Sequence, residues 1–392
     1  MKKKVLAIFR KFNYYGAVNN SLDFVLNLDQ SKYEIIVVFL KRKVSQENSN
    51  YIRYLNEKNI KIFFLDDFFN LSYQLIKRIP NFLKFFLIKY NWNKLKSNYP
   101  NFSIIYTNDH LTDFNFLSNE LDPNKTIYHI HYSKSLSEYL SKKIVNKYKD
   151  ALANIVNNEL NKKELIQLGI SENKVWNLGL AINQDNWINN IEKCEYTKIK
   201  NDIDANQLVI GGSGSISIRK GADIFHQIYK LILKNNLQDR VTFTWVGGVT
   251  KAKDSKKKSN SLKESMQKDG IKIFEQTSNP YEIYNIMDVF IIPSRKEVGP
   301  LTMLECMALK KIVISHVECG IAKDALSKNC GILIKKNEAD LYFEVIKKVL
   351  KNKNDFLELR QNAYDKVKKE FSFKSKNLVI QNFINSHARQ IH

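Results

Sequence analysis

Asp288-Val289-Phe290-Ile291-Ile292-Pro293-Ser294-Arg295-Lys296-Glu297-Val298-Gly299-Pro300-Leu301-Thr302-Met303-Leu304-Glu305 is the stretch whose reading decides the fold. Its first part, Asp288 to Ile292, is a short apolar run stopped by Pro293, the pattern of a buried strand. Gly299-Pro300 then opens a helix, because proline near the first helical position gives up an N–H that has no intrahelical partner there. Leu301, Leu304 and Ala308, at i, i+3 and i+7, share one face of that helix. Glu297 therefore falls on the loop at the carboxyl end of a strand, and Glu305 on the following helix. In open α/β sheets that crevice is where ligands bind. The two carboxylates can accept from ligand hydroxyls there while the helix N-terminus faces an anion.

Working outward, the same alternation recurs. Leu208–Gly212, Val241–Val246, Ile271–Phe274, Ile312–Ser315 and Gly331–Ile334 read as further strands, with a helix over Ala222–Lys234. An earlier series has strands at Val5–Phe9, Tyr33–Leu40, Ile60–Leu65, Ile104–Tyr106 and Thr126–Ile130, and a helix from about Asn20 to Leu28. Strands alternating with helices predict parallel, doubly wound sheets, here two of them with a deep cleft between. The polar stretch Glu192–Asn206 reads as the linker, which gives domains over 1–190 and 191–370. Thr250–Asp269, poor in apolar residues, reads as an exposed, mobile loop with a weak helix. Asp202-Ile203-Asp204 spells an acidic triplet but sits in the linker, where a turn and helix start explains it.

The 392 residues carry a net charge of +22, with 44% hydrophobic and 12% aromatic residues, enough for large cores. A basic surface suits nucleic acid, an anionic leaflet or phosphorylated substrates. The charge is spread along the whole chain rather than blocked at one end. Cys194, Cys306, Cys319 and Cys330 form no CxxC pair, so neither a zinc site nor a disulfide framework follows, and a reducing cytoplasm fits. No stretch approaches the ~20 apolar residues that span a bilayer. Leu71–Tyr99 mixes lysines with Phe82, Phe85, Phe86 and Trp92. It fits a membrane interface with lysines toward anionic lipid, or a core-packed helix pair broken near Pro80.

The second series opens with Leu208-Val209-Ile210-Gly211-Gly212-Ser213-Gly214-Ser215-Ile216-Ser217-Ile218-Arg219-Lys220-Gly221. This is a strand, a glycine-rich loop, a basic pair and a helix. Such a loop lets the backbone approach an anion, and Arg219 and Lys220 can neutralise a diphosphate. It matches neither GxGxxG nor the GK[ST] of a P-loop.

The order of glycine loop, Arg-Lys-Gly-x-Asp, a strand ending Val-Gly-Gly, and Pro-Ser…Glu-x7-Glu resembles the retaining glycosyltransferases of family 4, which have the GT-B fold. Gly16-Ala17-Val18-Asn19-Asn20-Ser21-Leu22 resembles that family's N-terminal glycine loop, and Leu168 to Gly179 the segment closing its first domain. The resemblance implies two Rossmann-like domains facing a deep cleft, an acceptor domain and a nucleotide-sugar domain, with a final helix over 371–392 packing back on the first. It implies that Glu297 contacts the donor sugar and Glu305 the ribose, and that Lys220 binds the diphosphate. Gly16, Gly214, Ser215, Arg219, Gly299, Pro300, Leu301 and Thr302 complete the implied donor-binding set. Ser215 stands where the family often has an arginine, so Arg219 is the candidate substitute. A family histidine near the donor sugar maps to His129 or His131, and the loop position favours His131.

The implied reaction is hexosyl transfer with retention from a nucleotide sugar to a glycan or lipid-linked acceptor, in capsule, O-antigen or other lipopolysaccharide-type synthesis. No metal or other cofactor is implied, since cations and a helix dipole can do that work. The implied place is the cytoplasm, at the inner face of the membrane, with peripheral contact to anionic lipid and no nucleic-acid partner. The competing readings are another enzyme of the same fold, such as a sugar-nucleotide epimerase, and a basic nucleic-acid-binding protein. The latter predicts a reader motif, and neither paired zinc ligands nor an RNP-like segment is present.

Overall fold

The computed structural model describes residues 2–11, 17–41, 55–56, 60–66, 80–108, 115–131, 136, 140–183, 203–204, 206–250, 253–277, 280–297 and 299–388. It divides into two compact units, Met1–Gly179 with Lys376–His392, and Leu180–Ser375.

The first unit is built on strands β1 (Lys3–Lys11), β2 (Tyr33–Lys41), β3 (Lys61–Phe64), β4 (Ile104–Thr107), β5 (Thr126–Ile130), β6 (Ala153–Val156) and β7 (Val175–Asn177). They pair in the order β3-β2-β1-β4-β5-β6-β7, all parallel. Helices α1 (Ala17–Leu26), α2 (Asn81–Asn98), α3 (Asn115–Glu120), α4 (Lys142–Asp150) and α5 (Glu159–Gln167) connect them. The strands are near-continuous apolar runs because both faces are covered. β6 and β7 escape the sequence reading because ANIV and VWN are too short to show a period.

The second unit has β8 (Leu208–Ser213), β9 (Val241–Val246), β10 (Lys272–Phe274), β11 (Val289–Ile292), β12 (Ile312–His316) and β13 (Ile332–Ile334) in the order β10-β9-β8-β11-β12-β13, again all parallel. Its helices are α6 (Ala222–Lys234), α7 (Lys253–Lys268), α8 (Pro280–Ile286), α9 (Leu301–Ala308), α10 (Ala322–Ala325), α11 (Ala339–Lys351) and α12 (Leu357–Glu370). Alternation divides each strand between two cores. Val289 and Ile291 join Ile210, Phe225 and Trp245 on one face, and Phe290 and Ile292 join Val209, Met303 and Leu304 on the other. In both sheets the chain reverses direction beside the first strand, between β1 and β4 and between β8 and β11. These are the switch points at which crevices open beyond the strand ends.

Two expectations change. Thr250–Asp269 is not a loop with a weak helix: Lys253–Lys268 is a continuous helix. Its anchors include Met266 in the core, Leu262 packed against that core, and Ser259, whose hydroxyl reaches the Ile216 carbonyl. The division between units falls at Gly179/Leu180 rather than near 190, because Leu180 and Ile182 are buried in the second unit's core and Ile182 bridges Ser372. The expected linker, Glu192–Asn206, lies largely outside the described residues. The last helix, α13 (Phe373–Ala388), runs from the second unit into the segment grouped with the first. In Leu71–Tyr99, α2 begins directly after Pro80, and 71–79 lie outside the described residues. Ile88, Trp92 and Leu95 of α2 are buried, while Leu83, Phe86 and Tyr90 stay exposed on its other side.

Candidate active site

In the second unit the glycine-rich loop leaves β8 and the Pro293-to-Pro300 loop leaves β11, its parallel neighbour at the switch point. Gly221 joins the two loops. It has φ +71°, and a Cβ there would stand 2.0 Å from the Pro293 carbonyl oxygen. Only glycine allows this approach, so the turn Ser217–Gly221 is held against the end of β11. Pro293 and Ser294 are fixed in turn: the Asn337 amide donates to the Pro293 carbonyl at 2.9 Å and His316 Nε2–H to the Ser294 carbonyl at 2.9 Å.

This architecture gathers the sequence-predicted residues. The Lys220 ammonium donates to the Glu297 carboxylate, and both side chains are largely buried. Arg219 Nη1 donates to the Lys296 carbonyl at 3.1 Å and lies 3.7 Å from the same Glu297 oxygen. Two cations thus converge on one carboxylate, at the place where Gly214 turns the backbone with φ +130°. Ser215 offers a hydroxyl 3.2 Å from that of Ser217 and no positive charge. Gly299, Pro300, Leu301 and Thr302 form the start of α9, with Pro300 at the cap, so the first helical N–H groups point outward beside Glu297. Val298 lies outside the described residues.

Glu305, on α9, differs from Glu297. Among the described residues its carboxylate has no hydrogen-bond or ion-pair partner. Burial pushes its pKa up to about 8. Burial and the Glu305 charge together hold the Tyr284 phenol well above its ordinary value. The Tyr284 hydroxyl in turn is 2.6 Å from the Ser213 hydroxyl at the end of β8. A half-buried carboxylate with nothing to accept from is a group awaiting a donor, and a vicinal diol supplies two.

Some participants were not legible in the sequence. Arg295 makes a bidentate ion pair with Asp223 at 2.7 Å to each oxygen, donates to the Ile218 carbonyl at 2.6 Å, and its N–H reaches the Arg219 carbonyl at 2.9 Å. It stitches the two loops together and is spent structurally. Its place beside Lys296 in the quoted stretch gives no signal of that role, because the partner is 72 residues away.

In the first unit, Gly16 lies outside the described residues. His129 and His131 stand on the same side of β5, as the two-residue period requires, with ring centroids 4.0 Å apart. Burial pulls the His129 pKa down to about 4, and burial with the neighbouring His129 holds His131 well below the ordinary range. Both are neutral imidazoles at pH 7.

Known proteins resemble this chain. The profile of the family described as glycosyl transferases group 1 matches residues 195–369, the stretch that contains both loops. The alpha-galactosylglucosyldiacylglycerol synthase of Streptococcus pneumoniae is 24% identical over 220 residues, 51% of this chain and 56% of that protein. The capsular polysaccharide biosynthesis glycosyltransferase CapM of Staphylococcus aureus is 25% identical over 189 residues, 47% of this chain and 46% of that one. The chain thus spans about half the length of the curated relatives it matches. The crystal structure of Anabaena HepE in complex with UDP and glucose superposes with a TM-score of 0.72 at 15% identity, covering 98% of this chain and 100% of HepE. That likeness shows the fold, and the two Rossmann-like units are those of GT-B. Through residues 195–369, the chain is similar to the glycosyl transferases group 1 family.

Proposed function

We propose that this protein is a retaining glycosyltransferase that moves a sugar from a nucleoside-diphosphate sugar to a glycan or lipid-linked acceptor in bacterial surface-polysaccharide or glycolipid synthesis. The observation that carries the reading is the pairing, at one switch point, of a cation-flanked carboxylate, Glu297, with an unpartnered one, Glu305. Glu305 takes the ribose diol. Lys220, Arg219 and the N–H groups that open α9 take the diphosphate, whose negative charge grows as the bond to the sugar breaks. These groups stand where a metal ion would otherwise serve, so the proposed chemistry needs none. Glu297 exchanges its lysine for sugar hydroxyls as the diphosphate claims Lys220. Retention follows if the acceptor enters on the face the phosphate leaves, with that phosphate taking the acceptor proton. His131 is the first unit's contribution to the donor sugar.

Two features support the acceptor class and the location. The curated relatives are named for glycolipid and capsule synthesis. No helix among the described residues is long and apolar enough to cross a membrane, yet α2 exposes Leu83, Phe86 and Tyr90 beside Lys89 and Lys94, a composition suited to the interface of an anionic leaflet. The proposed place is therefore the inner face of the cell membrane.

Calorimetric titration of UDP, the nucleotide in the HepE complex, into the wild type and Glu305→Ala tests the core of the proposal. Above pH 8, where Glu305 is ionised, loss of hydrogen bonds to a charged group predicts about 1.5–3 kcal/mol weaker binding, and below it loss of a neutral hydrogen bond predicts about 0.5–1.5 kcal/mol. Undiminished affinity in a folded variant refutes the ribose assignment. The anomeric configuration of the product, read by NMR coupling constants, tests retention.

A further inference from the structure

The carboxyl edge of the first unit's sheet carries a polar cluster that the proposed donor chemistry does not explain. Tyr106 comes from β4, His129 from β5, and Ser21 from α1, while His131 and Asn157 follow β5 and β6 directly. The Tyr106 hydroxyl is 2.5 Å from His129 Nδ1, and His129 Nε2 is 2.8 Å from Asn157 Oδ1. Asn157 Nδ2 is 2.7 Å from His131 Nδ1, and His131 Nε2 is 2.6 Å from Ser21 Oγ. The Ser21 hydroxyl also lies 3.4 Å from His129 Nδ1. All but His131 are buried.

The amide sets the direction of every bond. Its oxygen only accepts, so His129 Nε2 carries the proton. Its nitrogen only donates, so His131 Nδ1 is bare. A neutral imidazole has one donor and one acceptor. Hence the Tyr106 O–H donates to His129 Nδ1, His131 Nε2–H donates to Ser21 Oγ, and the Ser21 O–H is left to point toward His129 Nδ1. The five side chains form one connected network in which Asn157 lies between the two imidazoles. A proton added to His131 would set an N–H against the Asn157 NH2. A proton added to His129 would set one against the Tyr106 O–H.

We propose that Asn157 is a positioning residue that locks His131 as the neutral Nε2–H tautomer, so that the first unit presents an imidazole that orients a ligand without exchanging protons with it. The lock is a property of the ligand-free protein. Its use in catalysis rests on the reading of His131 as a contact of the donor sugar.

The test is two-bond 1H–15N correlation on the full chain labelled with 15N-histidine at pH 7, with His131→Gln and His129→Gln spectra for assignment. The expected pattern is a protonated Nε2 and a bare Nδ1 on both rings. In Asn157→Asp the carboxylate only accepts, so the His131 proton must move to Nδ1 or the ring must become charged, and its two 15N shifts exchange or converge. A wild-type His131 found as the Nδ1–H tautomer or as imidazolium overturns the proposal, whatever the variant does. So does an unchanged His131 pattern in a folded Asn157→Asp. Donor KM and kcat of His131→Ala separate the two ideas. If neither changes while the tautomer pattern is as expected, the sugar-contact reading falls and the role of Asn157 stands.

Discussion

At the scale of single residues, the two glutamates show how environment divides one residue type into two roles. Glu297 is neutralised by Lys220 and Arg219, while Glu305 is desolvated and has no partner among the described residues. The cost of that isolation has a sign. Glu305 keeps its proton up to about 8 when folded but loses it near 4.5 when unfolded, so stability falls as pH rises from about 4.5 to about 8. Glu305→Gln removes the effect. The variant should be more stable than wild type at pH 8, by on the order of 2 kcal/mol after allowing for partial solvent access, while binding nucleotide worse. Urea unfolding at pH 5 and pH 8 checks this, and equal destabilisation at both contradicts it. His129 works in the opposite direction. Its folded pKa of about 4 lies below the unfolded 6.5, so its contribution is present above 6.5 and drains away as pH falls toward 4. The loss amounts to about 3 kcal/mol. His129→Asn should flatten that limb of the pH–stability curve relative to wild type. Lys220→Ala should lower turnover more than ground-state donor affinity, because diphosphate charge grows only as the glycosidic bond breaks. Equal losses in kcat and in donor binding would reduce Lys220 to a simple anchor.

At the scale of elements, the site is a junction of two loops that must touch. Gly221→Ala forces a Cβ into the Pro293 carbonyl and a side chain into a left-handed turn. The expected cost is about 2 kcal/mol or more, with loss of nucleotide binding in whatever remains folded. Thermal unfolding within a few tenths of a degree of wild type would mean the two loops are not held this way. The periodic elements were readable: β5, β9, β11 and α6 fall where apolar runs and their stops place them. Helix α7 was not, because its sequence shows no apolar stripe and its anchors, Ser259, Leu262 and Met266 among them, are tertiary contacts. On α2 the sequence left a core face and a membrane face in competition. The structure shows apolar residues on both sides, Ile88, Trp92 and Leu95 inward and Leu83, Phe86 and Tyr90 outward. Replacing Lys89 and Lys94 with alanine should weaken binding to vesicles rich in anionic lipid by about 1 kcal/mol per charge. Transfer to a short soluble acceptor should persist, and sedimentation with vesicles provides the measurement.

At the scale of the whole molecule, hydrogen exchange distinguishes what each unit does. UDP should slow exchange in the loops 213–220 and 294–304 of the second unit, where backbone N–H groups meet the diphosphate. Protection confined to the first unit would place the nucleotide on the wrong sheet. The net charge of +22 helps to draw in an anionic donor but does not choose its site, since it is spread over both units. By itself the sequence determined the class of the architecture, two parallel sheets with ligand loops at the carboxyl ends. It did so because periodicity and proline and glycine punctuation act within a few residues, where sequence neighbours are spatial neighbours. It also singled out Lys220, Glu297 and Glu305, through their place after buried strands and the family resemblance of their spacing. Only the tertiary structure decided that Arg295 is consumed by Asp223, that Glu305 has no partner among the described residues, and that Asn157 lies between two histidines. The contacts among these are between groups 26 to 110 residues apart in the chain. A hydrogen bond's direction depends on the group at its far end, which no local pattern encodes.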